Sequence, residues 1–221
     1  MCVLIARVGE RPFLAANRDE AYARPFSSPR RWVADVPFWA PRDEEEGGTW
    51  IGVNRHGLTA AITNRSRIPD EPDRESRGKL VTGALARPDL AAARAWLLAE
   101  LARAPRNPCQ ILLARRGEAL VCEVGPDGVA WETLSPGIHV LSNLHDRGEI
   151  DFRLDAAADF SAVRPILADP SPRLPRGFAV CKRAGWRGTV ASAYIEPGVA
   201  FLFAPGPPDA TDYTPVGGYP A

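Results

Sequence analysis

The chain is divided into short apolar runs of strand length, and several come in pairs around tight turns. Residues 2–7 (CVLIAR) and 13–17 (FLAAN) flank VGERP. Residues 49–53 and 58–63 flank Asn54-Arg55-His56-Gly57. Residues 189–195 and 199–203 flank Glu196-Pro197-Gly198. Runs this close must pair antiparallel, because a parallel partner needs a crossover of a dozen or more residues. Further strands are predicted at 109–114, 119–124, 129–133 and 138–141. The 22 Pro and 19 Gly fit a chain rich in turns. Helices are predicted at 79–86, 89–103 and 151–167. In the second, Leu90, Ala93, Leu97, Leu98 and Leu101 form one apolar stripe, and Asp89 after Pro88 suits an N-cap. The Pro-rich stretch holding Pro25, Pro29, Pro37 and Pro41 reads as a loop, as do residues 65–78, and the tail from about 205 as irregular. Strand pairs interleaved with helices, with no repeat and no long linker, indicate one α+β domain over 1–221, layered on antiparallel sheets.

Charge excludes some functions. Lys plus Arg equals Asp plus Glu at 27 each, so no general electrostatic attraction to nucleic acid is expected. No apolar run approaches the ~20 residues of a membrane span, and the N-terminus lacks a secretory signal pattern; a cytoplasmic protein is expected. Cys109, Cys122 and Cys181 form no C-x-x-C pair and read as small core residues. The acidic run Asp43-Glu44-Glu45-Glu46 reads as a solvated surface. His56, His139 and His145 lack metal-ligand spacing, and the phosphate-loop, dinucleotide and nucleophile-elbow motifs are missing from the sequence, so neither metal nor cofactor is expected. Trp50 and Trp96 read as core, whereas Trp32 and Trp39 sit in the Pro-rich loop, under it or lining a ligand cleft.

Cys2 stands apart. A small second residue favours removal of Met1, which would free an α-amino group of pKa ~7.7–8.0, close enough to neutrality to act as a general base. One residue then supplies nucleophile and base. Hairpin pairing sets Cys2 opposite Asn17 or Arg18, according to loop length. Arg18 is placed to favour a thiolate and Asp19 to hold the amine. Equal pairing about the 54–57 turn brings Asn64 level with Gly47 and Gly48, and Asn64 or Asn143 could donate to a tetrahedral oxyanion. Each of these also has a plain structural role: a packed cysteine, an exposed ion pair, strand-ending asparagines.

The ordered set MC, ANRDE (16–20), GGTWIGVN (47–54), GLTAAITN (57–64), RGKLV (77–81) and LSN (141–143) closely resembles the NRDE family, whose eukaryotic members are called transport and Golgi organisation protein 2 homologues. The resemblance runs from residue 1 to about 195. That family in turn resembles cysteine N-terminal nucleophile hydrolases such as bile-salt hydrolases and penicillin V acylases. It implies a four-layer αββα sandwich, Cys2 as nucleophile, Arg18 and Asp19 beside it, Asn64 at the oxyanion and Asn143 as a second polar support. Arg187, in WRGTV, is the match to a late arginine of the acylases. In those enzymes the acidic residue lies a few positions after the arginine, whereas Asp19 adjoins Arg18. The implied partner is a small molecule carrying an amide or thioester. The family's links to haem and lipid metabolism imply the alternative of a haem or acyl-ligand carrier.

Overall fold

The computed structural model describes residues 2–155, 157–172 and 174–220. Met1, whose removal the free amine requires, lies outside them, as does Ala156 of the third predicted helix. The elements, in chain order, are β1 (Val3–Val8), β2 (Phe13–Ala21), β3 (Phe26–Trp32), β4 (Phe38–Asp43), β5 (Ile51–Asn54), β6 (Thr59–Asn64), α1 (Gly78–Leu85), α2 (Leu90–Arg103), β7 (Cys109–Arg115), β8 (Glu118–Gly125), β9 (Gly128–Thr133), β10 (Gly137–Ser142), α3 (Phe160–Leu167), β11 (Arg183–Ala184), β12 (Arg187–Glu196), β13 (Ala200–Ala204) and β14 (Thr214–Pro215). They build two antiparallel sheets. One runs β10-β1-β2-β12-β13-β14, with β11 added beside β12; the other runs from β3 to β9 in sequence order.

Alternation along each strand explains the layers. In β1, Leu4, Ala6 and Val8 enter the core between the sheets, while Val3 and Ile5 pack toward α3. In β7, Leu112 and Ala114 face the other sheet, and Cys109, Ile111 and Leu113 pack against α1 and α2. Central strands are thus buried on both faces, which is why their sequences read as nearly continuous apolar runs. The stack is α3, sheet, sheet, then α1 with α2: the αββα sandwich.

Two registers fix one end of this stack. Val3 pairs with Asn17, so Cys2 lies level with Arg18, one of the two alternatives that the hairpin allows. Ile51 pairs with Ala61, and the Ile62 N–H donates to Trp50 O; continued, this register sets Asn64 level with Gly48. Both strand ends open onto the same edge of the sandwich. The turns at the far ends of these hairpins lie on the opposite edge.

Several expectations need correction. The Pro-rich segment is two strands rather than a loop. Pro29 falls at a register shift between Ser27 and Arg30 in the edge strand β3, a position where a missing N–H costs little. Trp32 stacks on Phe38 at 5.3 Å, and Trp39 is buried edge-on to Tyr219. The third helix starts only at Phe160, because the Asp151 and Asp155 carboxylates accept from Arg153 and Ala157 N–H two residues on, a local bond that competes with helix. Arg153 accordingly has a φ of 52°. On α2, Ala93, Leu97 and Leu101 are buried but Leu98 is 44% exposed, so the stripe is narrower than expected. Asp89 does cap α2, accepting from Ala92 N–H at 2.8 Å. Cys109, Cys122 and Cys181 are buried. The tail is not wholly irregular: β14 pairs with β13. Among the described residues no helix is long and apolar enough to cross a membrane.

Candidate active site

Cys2 precedes β1 at the open edge of the sandwich and is half-buried as a residue. A cleft of about 310 Å³ there is lined by Cys2, Arg18, Asp19, Asn64, Asn143 and Arg187 together. These residues come from the chain start, β2, β6, the turn after β10 and β12. Burial pushes the Cys2 thiol up, and the Asp19 carboxylate adds to that; the Asp19 backbone N–H and the Arg18 cation oppose it.

Arg18 is fixed by residues that sequence reasoning missed. Its Nη2 donates to Asp43 Oδ2 at 2.7 Å, and its guanidinium lies 4.5 Å from the Trp50 ring centre. Arg24 Nε donates to the same oxygen at 2.8 Å. Against the upward push of burial, Arg24 and Arg18 hold the Asp43 carboxyl below its usual range. The acidic run is therefore only partly a solvated surface: Glu44, Glu45 and Glu46 are exposed, but Asp43 anchors Arg18. Trp50 is not simple core either, since it lines the cleft beneath that guanidinium. Arg18 Nη1 is buried with no hydrogen-bond partner among the described residues.

Asp19 is 4% exposed. Thr189, its register partner on β12, donates from Oγ1 to Asp19 Oδ1 at 2.6 Å, and Lys182 Nζ stands 3.9 Å from Oδ2. Burial raises the Asp19 carboxyl above the usual range, and Thr189 and Lys182 pull the other way. Thr189 was accessible in principle from the alignment of β12 with β2; Lys182 carries no local sequence signal.

Asn143 is tied in place. Its Nδ2 donates to Ser66 Oγ at 2.8 Å, and its backbone N–H reaches Cys2 O at 3.4 Å. Its Oδ1 is buried without a hydrogen-bond partner among the described residues. Asn64, half-buried at the end of β6, lines the opposite wall. Arg187 is exposed, its guanidinium 5.3 Å from the Trp186 ring centre.

Backbone meets backbone beside the cleft. A Cβ on Gly48 would sit 2.5 Å from the Gly78 carbonyl carbon, so these two glycines allow the start of α1 to meet the chain entering β5. Asn17, one residue before Arg18, points to the other face. It donates to Leu167 O at 2.8 Å and Val180 O at 3.0 Å and accepts from Ser192 Oγ at 2.6 Å. It thus ties β2 to α3 and to the segment leading into Lys182. Among the described residues no cluster of His, Cys, Asp and Glu forms a metal site.

Two antiparallel sheets between helical layers, with a cysteine at the strand start, define the N-terminal nucleophile hydrolase fold. The chain is similar to a Caenorhabditis elegans N-acylethanolamine-hydrolyzing acid amidase ortholog, with a TM-score of 0.60 and 12% identity over 90% of this chain and 94% of that one. It is similar to a variant of conjugated bile acid hydrolase from Clostridium perfringens (0.59, 11%, 97% and 92%) and to penicillin V acylase from Agrobacterium tumefaciens (0.56, 12%, 92% and 83%). At these identities the likeness is one of fold. Residues 1–152 match the family described as Transport and Golgi organisation 2, and the chain belongs to that family. The Transport and Golgi organization 2 homolog of Mus musculus is 37% identical over 37% of this chain, and the Homo sapiens homolog 36% over the same share; the match spans 34% of the length of each.

Proposed function

We propose that the chain is a cysteine N-terminal nucleophile hydrolase acting on an amide or thioester of a small molecule. The observation that carries this reading is the single cleft lined by Cys2, Arg18, Asp19, Asn64, Asn143 and Arg187. With Met1 removed, the α-amine of Cys2 takes the thiol proton and the thiolate attacks the carbonyl carbon. A carbon–sulfur bond forms and the amine returns the proton to the departing amine or thiol. Water, deprotonated by the same amine, then releases the acyl group from sulfur. Arg18 favours the thiolate through its charge. Asp19 holds and orients the amine. Asn64 is the side-chain donor to the oxyanion, with Asn143, held by Ser66 through one of its two amide N–H groups, as a second polar support whose Oδ1 accepts from the substrate.

The haem-carrier alternative gains little support. The cleft that Cys2 lines has no histidine in its wall, and His145 is buried with Nδ1 bonded to Ser142 and Nε2 to Pro175 O.

Intact-mass measurement tests the reading. The purified chain should lack Met1, and an activated thioester should leave its acyl group on wild-type protein but not on Cys2→Ala. Full reactivity in a protein that retains Met1 would refute the mechanism, because the base would then be blocked.

A further inference from the structure

Beside the cleft lies a second cavity of about 500 Å³, which shares Asp19, Ser66, Asn143 and Arg187 with it. The shared residues place the two cavities side by side, with Asp19 and Asn143 on both. Leu144, Pro170, Phe178 and Ala179 give the second cavity an apolar wall, suited to an aliphatic chain.

Lys182 interrupts that wall. Its side chain is 16% exposed, and its Nζ lies 4.9 Å from the Phe178 ring centre. The Asp19 oxygen at 3.9 Å is beyond hydrogen-bond distance, so this contact takes up none of the three ammonium donors. The neighbouring charges leave an excess of positive sign. Arg183 is paired with Asp209 at 2.8 Å. Arg187 is a second cation on the same cavity, and Asp19 is the one carboxylate among the lining residues. Burial works against the charged form of Lys182, with Asp19 and the Cys2 thiolate favouring it. An anion in the cavity would give this ammonium a charged acceptor.

We propose that this second cavity receives the acyl half of the substrate and that Lys182 binds a carboxylate at the far end of that acyl chain. The proposal rests on the hydrolase reading above and specifies its substrate class as a monoamide or monothioester of a dicarboxylic acid. Arg187 is shared with the Cys2 cleft and Arg183 is paired with Asp209, which leaves Lys182 as the cation of the apolar wall, matched to one carboxylate on a short chain.

The test uses N-acetylcysteamine thioesters. Succinyl, glutaryl and adipoyl thioesters are compared with butyryl, valeryl and hexanoyl thioesters of equal chain length. In each case the Cys2 thiolate forms a new thioester and N-acetylcysteamine leaves as the thiol, carrying the proton. Acid-quenched intact mass gives the acylation rate, with Cys2→Ala subtracting reaction at the other cysteines. At one chain length the carboxylated probe should react about tenfold faster or more, the scale of one charge-assisted hydrogen bond. Lys182→Met should erase that preference, read as the ratio of the two series within the variant so that any change at Asp19 or Cys2 common to both cancels, and Lys182→Arg should keep part of it. Equal rates for both series in the wild type would overturn the proposal, and this comparison needs no folded variant. A Lys182→Met loss shared equally by both series would also overturn it, since Lys182 would then act on the reacting centre. If neither series acylates Cys2, the hydrolase reading itself fails.

Discussion

Asp19 concentrates the conflict between function and stability in one side chain. Its carboxyl is raised by burial, so charging it costs more in the folded than in the unfolded chain. That sign means the cost is missing at low pH, where the group is protonated in both states, and grows as pH rises through the folded value. Asp19→Asn should therefore raise the melting temperature at pH 7, keep its Thr189 contact, and lose reactivity at Cys2. The thermal gain should vanish as the pH is lowered toward 3, which scanning calorimetry across that range would check. A lower melting temperature for the variant at pH 7 would contradict it. Cys2, Arg18 and Asp19 could be grouped from sequence because a short hairpin constrains what lies opposite what. Asp43 could not: three glutamates follow it, and only the fold of β4 against β2 separates the one carboxylate that anchors Arg18 from those that face water.

At the level of elements, α1 and α2 meet through a glycine. A Cβ on Gly83 would fall 1.9 Å from the Trp96 ring. Two effects of Gly83→Ala oppose each other: better helix propensity, worth about 1 kcal/mol, and overpacking, which costs about 1–3 kcal/mol. The collision wins in the native background, so Gly83→Ala should destabilise by up to about 2 kcal/mol. In a Trp96→Ala background the same change should stabilise by about 1 kcal/mol. Urea denaturation of the four proteins measures both signs, and an unchanged sign would refute the packing account. Strands with alternating or continuous apolar character were legible, as was the Asp89 cap. The 151–159 stretch misled because its aspartates look helix-compatible by composition but bond to their own backbone. β3 and β4 were hidden by prolines that the edge position and a register shift accommodate.

Across the whole molecule, the two edges of the sandwich have different tasks. One opens onto Cys2. The other is closed by the tail, where Tyr219 sits edge-on to Trp39 from one sheet at 5.6 Å and to Phe201 from the other at 5.9 Å. Its hydroxyl accepts the Gly198 N–H at 2.9 Å. Tyr219→Ala should cost about 1–3 kcal/mol while leaving the acylation rate of Cys2 unchanged, because the two edges are separated by the full length of the strands. A matched loss of both stability and acylation would show that they are coupled. This closure was not readable from the sequence, since a Pro- and Gly-rich tail carries no periodicity that reveals what it covers. The Gly48–Gly78 contact bears on how relatives of this chain diversify. Main-chain atoms of the two segments meet beside the cleft there, and a side chain added at Gly48 collides with them rather than remodelling the space. New ligand preferences must then arise by exchange of residues around the rim and along the 177–188 wall, so a library confined to those positions should recover altered selectivity more often than one directed at the glycines.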